Sequence, residues 1–399
     1  MPAAIRDHLF HRVLIADGAM GTMLQGFALG LDDFEGHEGC NEVLNRSRPD
    51  VVAAIHRAYL AAGADCIETN TFGANHAALG EYGISEQIAE LAHAGARIAR
   101  QVADEFSTPD RPRFVLGSVG PGTKLPTLGH IEATTIRDAY QAQVEAMIGG
   151  GIDAVQIETC QDLQQAKAAV IGAKRARRAL GVDLPIFVSI TIETTGSMLL
   201  GSETGAALAT LAPLGVDIIG LNCATGPAEM AEHLRYLSRH ASVGLSAMPN
   251  AGLPELTADG AVYPLQPAEL ASALVEYASS FGLALVGGCC GTTPEHIRRL
   301  SEAMGADRPV PQRGPQLANS VASLYYEVAL KQDTSYLAIG ERTNANGSKA
   351  FREAMLEGRW DDCVRIGRDQ SRSGAHIVDL CVDYVGRDGV ADMTQLASR

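Results

Sequence analysis

The sequence predicts an α/β fold, a (β/α)8 barrel of the TIM type, followed by a partial strand-helix-strand extension at the C-terminal end. Three observations carry this reading. Short apolar runs alternate with longer helical stretches through about residue 304, the pattern of a parallel sheet crossed by helices. Eight such runs occupy roughly 300 residues, which suits a closed eight-stranded barrel better than an open sheet. Nearly every run ends on polar or metal-binding residues, and in such barrels the active site gathers at the C-terminal strand ends.

In chain order, the runs expected as strands are 13–17, 65–69, 113–118, 153–158, 184–192, 216–222, 243–249 and 283–288. Between them, 49–62, 85–105, 134–149 and 163–180 place apolar residues at three-to-four spacing in helix-forming composition. Later crossovers open at Pro227, Pro267 and Pro294, where a fixed φ and a missing N–H suit a first helical turn. The barrel is expected over 1–305 and a linker rich in proline and polar residues over 306–337. A strand-helix-strand unit over 338–399 falls far short of a second closed barrel, so the chain reads as a fragment of a longer enzyme. Such a unit buries little apolar surface and is expected to be poorly ordered unless Phe351 and Trp360 pack on a neighbour.

Composition narrows the function classes. A hydrophobic fraction of 46% with 20% charged residues supplies a sizeable core without a bias toward disorder. The net charge of −15, with no long basic block, argues against a nucleic-acid partner. Eight cysteines in 399 residues, two of them adjacent, do not form a secreted disulfide framework. The N-terminus lacks a signal-peptide layout and no apolar run reaches membrane-spanning length, so a cytoplasmic protein with no membrane partner is expected.

The thiols sit where a barrel keeps its chemistry. Cys289 and Cys290 lie in a glycine-walled turn after an apolar run and before a helix, and Cys223 occupies the equivalent place after another run. Buried apolar cysteines and a vicinal redox pair are the alternatives, but the shared topology favours one metal. A catalytic zinc has three protein ligands and an open fourth position, which these thiols would fill as metal ligands and catalytic residues. The acids Asp17, Glu68, Glu158 and Glu193 end other strands at the same mouth. Together with three thiols they form an excess of negative charge that a zinc ion and a substrate ammonium would balance. Cys66 is expected in the core, and Cys40 and Cys363 have no partner spacing. Cys160 lies beside Glu158 near the mouth, while His76, His130 and His296 suit ordinary helix or loop positions.

The motifs DGAMGT at 17–22, ETNTFGA at 68–74, GSVGP at 117–121, GLNC at 220–223 and GGCCGT at 287–292 resemble the barrel of the zinc-dependent homocysteine methyltransferases. That family includes betaine- and S-methylmethionine-dependent enzymes and the cobalamin-dependent methionine synthases. The tail points to the last branch. Residues 339–349 and 374–383 look like the first two strands of its pterin-binding folate barrel, except that Cys381 stands where an asparagine is usual.

The resemblance implies zinc on Cys223, Cys289 and Cys290, activating homocysteine as a thiolate for methylation to methionine. Methylcobalamin would be the donor, carried by a module outside this chain, with cobalamin- and folate-binding modules of the same enzyme as partners. S-methylmethionine or betaine as donor, or a closed structural zinc, are the alternatives. By the same resemblance Asp17 and Glu158 hold the substrate ammonium and the N–H groups of Gly18 and Ala19 take its carboxylate, with Glu68 and Asn70 as further contacts. Asn250, ending the strand between those of Cys223 and Cys289, is placed to offer its amide oxygen as the fourth zinc ligand until homocysteine sulfur displaces it.

Overall fold

The computed structural model describes residues 5–257, 260–315, 319–333 and 335–399. It divides into two compact units, Met1–Leu317 with Ala322–Glu327, and Ala318–Val321 with Val328–Arg399. The first unit is built on an eight-stranded parallel sheet. Its strands are β1 Leu14–Ile15, β2 Cys66–Glu68, β3 Phe114–Val119, β4 Ala154–Cys160, β5 Ile186–Ile190, β6 Ile218–Asn222, β7 Gly244–Met248 and β8 Leu285–Val286. From β2 to β8 each strand pairs with the next in sequence, and β8 returns to β1 with Leu285 opposite Leu14 and Val286 opposite Ile15. This is the expected barrel.

The β1–β2 seam is bridged partly by side chains. Asp65 N–H donates to Ile15 O at 2.7 Å, Ile15 N–H donates to Asp65 Oδ2 at 3.0 Å, and Glu68 N–H donates to Asp17 Oδ2 at 3.1 Å. Two carboxylates therefore stand in for backbone carbonyls at the seam, and one of them belongs to the cavity described below.

Alternation along the strands sorts side chains between the lumen and the helical jacket. On β4, Ala154 joins Leu14, Cys66, Phe114, Leu116, Phe187 and Leu285 in the lumen cluster, whereas Val155 and Ile157 join the cluster beneath the helices. Glu158 shares the parity of Ala154 and so emerges at the top of the lumen. The helices Pro49–Ala62 and Leu163–Leu180 follow the expected ranges, and Pro227–His240, Pro267–Phe281 and Pro294–Met304 begin on their prolines. Asp162 caps Leu163–Leu180 by accepting from the N–H groups of Gln164 and Gln165.

Six of the eight strands are shorter than expected, β1 and β8 most in proportion, whereas β3 keeps its length and β4 runs one residue longer. The last residues expected in β1 and β8 leave the ladder to form the turns that carry Asp17, Cys289 and Cys290. A hairpin, Glu255–Thr257 with Gly260–Val262, interrupts the loop after β7 and has no period-two signal of its own. Part of the expected linker straps the barrel: Arg308 Nε donates to Val13 O at 2.7 Å and Arg313 Nη1 to Ala241 O at 3.0 Å. No helix among the described residues is long and apolar enough to cross a membrane.

The second unit pairs Ile339–Gly340 with Ile377–Val378 in parallel, with helices Lys349–Leu356 and Trp360–Arg372 between them and Gly389–Ala397 after. Phe351, Met355, Cys363, Val382 and Leu396 are buried together, with Trp360 packed against them. This corrects the expectation of a unit with little to bury: two helices rather than one span the strands, and their apolar faces close on each other.

Candidate metal centre and substrate cavity

The turn after β6 carries Cys223 in the left-handed region at φ 58, followed by Ala224 at φ 53. Only glycine and, less often, Asn or Asp enter this region without cost, so the turn is held by its bonds. Cys223 N–H donates to Met248 O at 3.2 Å, and Thr225 N–H donates to Cys223 O at 2.6 Å. The turn after β8 is fixed from β7: Cys289 N–H donates to Pro249 O at 2.8 Å, and Cys290 N–H donates to Asn250 Oδ1 at 3.1 Å. Buried Thr292 closes it, its hydroxyl donating to Cys289 O at 2.6 Å while accepting from Ala19 N–H at 3.2 Å. Gly288 is required beside it, because a Cβ there would lie 2.4 Å from Thr292 Oγ1.

These turns bring the sulfurs of Cys223, Cys289 and Cys290 within 4.8 Å of one another, with Cys223 Sγ 3.8 Å from Cys290 Sγ. A tetrahedral zinc with sulfur ligands at about 2.3 Å has a sulfur–sulfur edge of about 3.8 Å, so the donor set fits that ion. All eight cysteines are free thiols. Hydrogen bonds from Cys223 and Cys289 hold the Cys290 thiol down to about 3, while sharing protons with Cys223 and Cys290 pushes Cys289 well above the usual thiol range. Three thiolates cannot coexist here without a cation, and a divalent metal removes that conflict.

Beside the sulfurs lies a cavity of about 270 Å3, small enough to suit an amino acid. Asp17, Gly18, Ala19, Glu68, Asn70, Glu158, Cys223, Cys289 and Cys290 all line it. Burial pushes Asp17 and Glu68 above the usual carboxylate range, and neighbouring Glu158 adds to both. Burial likewise raises Glu158, to about 7, against the hydrogen bond from Ser118 that lowers it. Ser118 Oγ donates to Glu158 Oε1 at 2.5 Å and Asn222 Nδ2 donates to Oε2 at 3.2 Å. Asn222 also holds Thr159, accepting its N–H at 2.7 Å, and approaches Cys289 Sγ at 3.9 Å.

Several expected residues lie elsewhere. Glu193 does not line the cavity; β5 ends at Ile190 and Glu193 turns back to donate its N–H to Ser197 O. Asn250 is buried off the cavity lining, its amide oxygen taken by Cys290 N–H. Ala19 N–H already has Thr292 as acceptor. Cys160 packs in the core with Cys66 equally buried, and His296 joins Thr293 to Leu265 O. His76 and His130 are exposed. Thr22 and Phe72, within the motifs at 17–22 and 68–74, line the cavity too, as do Asn41 and Glu42, which had not been singled out in the sequence. Their signal is the length of the polar first strand-to-helix loop, since barrels build their sites from such loops.

Comparison with known proteins extends this geometry. Residues 14–304 match the homocysteine S-methyltransferase family and residues 340–399 match the pterin binding enzyme family. A methionine synthase of Mycobacterium tuberculosis is 61% identical over 393 residues, covering 98% of this chain and 33% of that protein. One from Mycobacterium leprae is 60% identical over 397 residues with the same coverage. The chain thus spans about a third of the length of the curated relatives it matches. Among solved structures, the metallated form of the homocysteine methyltransferase MmuM from Escherichia coli superposes with a TM-score of 0.57 at 24% identity, covering 72% of this chain and 95% of that one. Its apo form gives 0.57 at 23% identity, covering 75% and 98%. At that identity the likeness speaks for the fold.

Proposed function

The chain belongs to the homocysteine S-methyltransferase family, and from that premise we propose that residues 1–305 hold homocysteine and zinc for transfer of a methyl group to the homocysteine sulfur, giving methionine. Residues 338–399 would begin the pterin-binding unit of the same longer enzyme. The observation that carries the reading is a set of three clustered thiols opening onto an acid-lined, amino-acid-sized cavity.

A thiol with pKa near about 8.5 is mostly protonated at neutral pH, and only its thiolate is a competent nucleophile. Cys223, Cys289 and Cys290 would hold zinc, which supplies the Lewis acidity that keeps a bound substrate thiol deprotonated. The protein's part is placement. Buried acids at Asp17 and Glu158 face the ammonium end, and the backbone turn at Gly18 lets the carboxylate approach closely, above a lumen packed with apolar side chains. A structural zinc module would need no cavity beside its ligands, so the cavity favours catalysis. The free thiols suit a reducing cytoplasm.

Methylcobalamin carried by another module is the proposed donor, on the likeness of residues 339–349 and 374–383 to the folate barrel of the cobalamin-dependent branch; the relatives at 60–61% identity are named methionine synthases. The test is methionine formation by the zinc-loaded chain from homocysteine and free methylcobalamin, beside equal concentrations of betaine and S-methylmethionine. Methylcobalamin is expected to react fastest; a faster rate from either other donor overturns that assignment, and no methionine from any of them overturns the function.

A further inference from the structure

The hairpin after β7 delivers a side chain to the thiols from outside the cavity lining. Beyond Gly260–Val262 the chain returns to the barrel at Tyr263 and is pinned there: Leu265 N–H donates to Ala251 O at 2.9 Å, and His296 Nε2 lies 3.1 Å from Leu265 O. The Tyr263 ring rests on Gly291, the residue after the thiol pair, so closely that a Cβ at 291 would stand 2.2 Å from Tyr263 Cγ. The Tyr263 hydroxyl hydrogen-bonds the Cys290 sulfur. On the other side of the pair, Asn222 Nδ2 lies 3.9 Å from Cys289 Sγ. Both sulfurs of the pair thus have a side-chain donor.

We propose that the Tyr263 hydroxyl is a positioning group that directs methylation to the substrate sulfur by damping the nucleophilicity of Cys290. The proposal rests on the zinc and homocysteine reading above. In that reading three protein thiolates and a substrate thiolate share one metal, and only the last is to be methylated. The attacking thiolate gives a lone pair to the methyl carbon while the donor atom leaves with the old bonding pair, so the most electron-rich accessible sulfur takes the methyl group. A charge-assisted hydrogen bond draws electron density from the thiolate that accepts it. It lowers basicity about tenfold to a hundredfold, and nucleophilicity follows by about half of that on a logarithmic scale. Methylation of Cys290 would leave a neutral thioether where the metal needs an anion, so damping that sulfur protects the site. Gly291 has its reason here: any side chain at that position would push the ring off and carry the hydroxyl away from Cys290.

The experiment exposes the zinc-loaded chain, without homocysteine, to methyl iodide and measures S-methylation at Cys290 relative to Cys223 by mass spectrometry of the digested protein, with zinc content determined in parallel. Tyr263→Phe keeps the ring on Gly291 and removes the hydroxyl alone. It is expected to raise the Cys290-to-Cys223 ratio by about three- to tenfold at full zinc content. Tyr263→Leu, which lacks ring and hydroxyl together, should raise it to a similar degree. A ratio that is the same in the parent and in Tyr263→Phe overturns the proposal, and a rise confined to Tyr263→Leu does so by assigning the effect to shielding by the ring. Loss of zinc from Tyr263→Phe overturns it as well, since the hydroxyl would then secure the metal instead of tempering one of its ligands. A parent chain that takes up no zinc overturns the metal reading and the proposal with it, a failure that the zinc measurement separates from the others.

Discussion

Replacing Gly288 with alanine should loosen the metal centre although it adds one methyl group and removes no ligand. The added Cβ would lie 2.4 Å from Thr292 Oγ1, 2.5 Å from Cγ2 and 2.7 Å from Cβ, all well inside van der Waals contact. Thr292 cannot yield by rotating freely, because it is fully buried and its hydroxyl bridges Cys289 O and Ala19 N–H. Overpacking of this kind costs about 1–3 kcal/mol. Breaking the two Thr292 hydrogen bonds adds about 1 kcal/mol each. The expected destabilisation is therefore about 3–5 kcal/mol, felt at the residue next to Cys289. Urea unfolding of the zinc-loaded protein measures the stability, and competition with a chromogenic chelator measures zinc retention. Thr292→Ala removes the two nearest atoms, so the alanine at 288 should cost less in that background than alone. Unchanged zinc retention in Gly288→Ala, or additive losses in the double variant, would refute the steric argument.

Other consequences follow from the same geometry. Alanine at Cys223, Cys289 or Cys290 should reduce zinc content from near one per chain to near zero in a dialysed sample, read by atomic absorption, because two thiols and a shared proton no longer make a tetrahedral site. Asn250→Ala leaves the Cys290 N–H without its acceptor, which costs about 1–3 kcal/mol. If Asn250 acts by positioning Cys290, zinc retention falls equally with and without homocysteine; a fall confined to the substrate-free protein would instead make its amide oxygen a metal ligand. Buried His56 has no partner for either ring nitrogen among the described residues, and burial alone drops it from 6.5 to about 3. The unfolded chain therefore takes up a proton below pH 6.5 that the folded chain refuses until about pH 3. Its share of stability is intact above pH 6.5 and is lost as pH falls, at about 1.4 kcal/mol per pH unit. His56→Leu should flatten the difference in unfolding free energy between pH 7 and pH 5 by about 2 kcal/mol; parallel pH profiles for the two proteins would rule this out.

The sequence made the barrel legible because its elements are local. Helices such as Pro49–Ala62 and Leu163–Leu180 announce themselves by periodicity and by their first and last residues. The thiols were legible because Cys223 and the Cys289–Cys290 pair end runs of the same kind. What could not be read is what side chains do to one another across the mouth. Asp17 and Asp65 both end or begin strands, yet nothing in their spacing tells that they bridge the seam between β1 and β2. Glu193 looked equivalent to Glu158, but β5 stops three residues short of it, and a turn bonded to Ser197 takes it away. Asn250 had the right chemistry for a metal and is spent on a backbone N–H. Glu42 entered the cavity from a loop without periodicity, held by its bond from Gly73 N–H at 2.7 Å.

The distribution of backbone strain argues that these placements serve the site rather than the barrel. Among the described residues, Glu35, Thr159, Cys223 and Ala224 are the non-glycine positions with positive φ. Three of them sit at the ends of β4 and β6, against the thiols and the acids, where a barrel needing only stability would use glycine. Thr159, β-branched and so especially unsuited to φ 57, is held by two bonds with Asn222, from its own N–H at 2.7 Å and to its hydroxyl at 2.9 Å. The same Asn222 amide reaches Glu158 and Cys289 Sγ, so the group that maintains the strain also spans the acid and thiol ends of the cavity. Glycine at 159 would relieve the strain without that anchor, and the chain does not use it. Stability is given up at Thr159 and Cys223 to fix where a carboxylate and a sulfur stand relative to each other, which is the distance a substrate bearing both an amine and a thiol has to match.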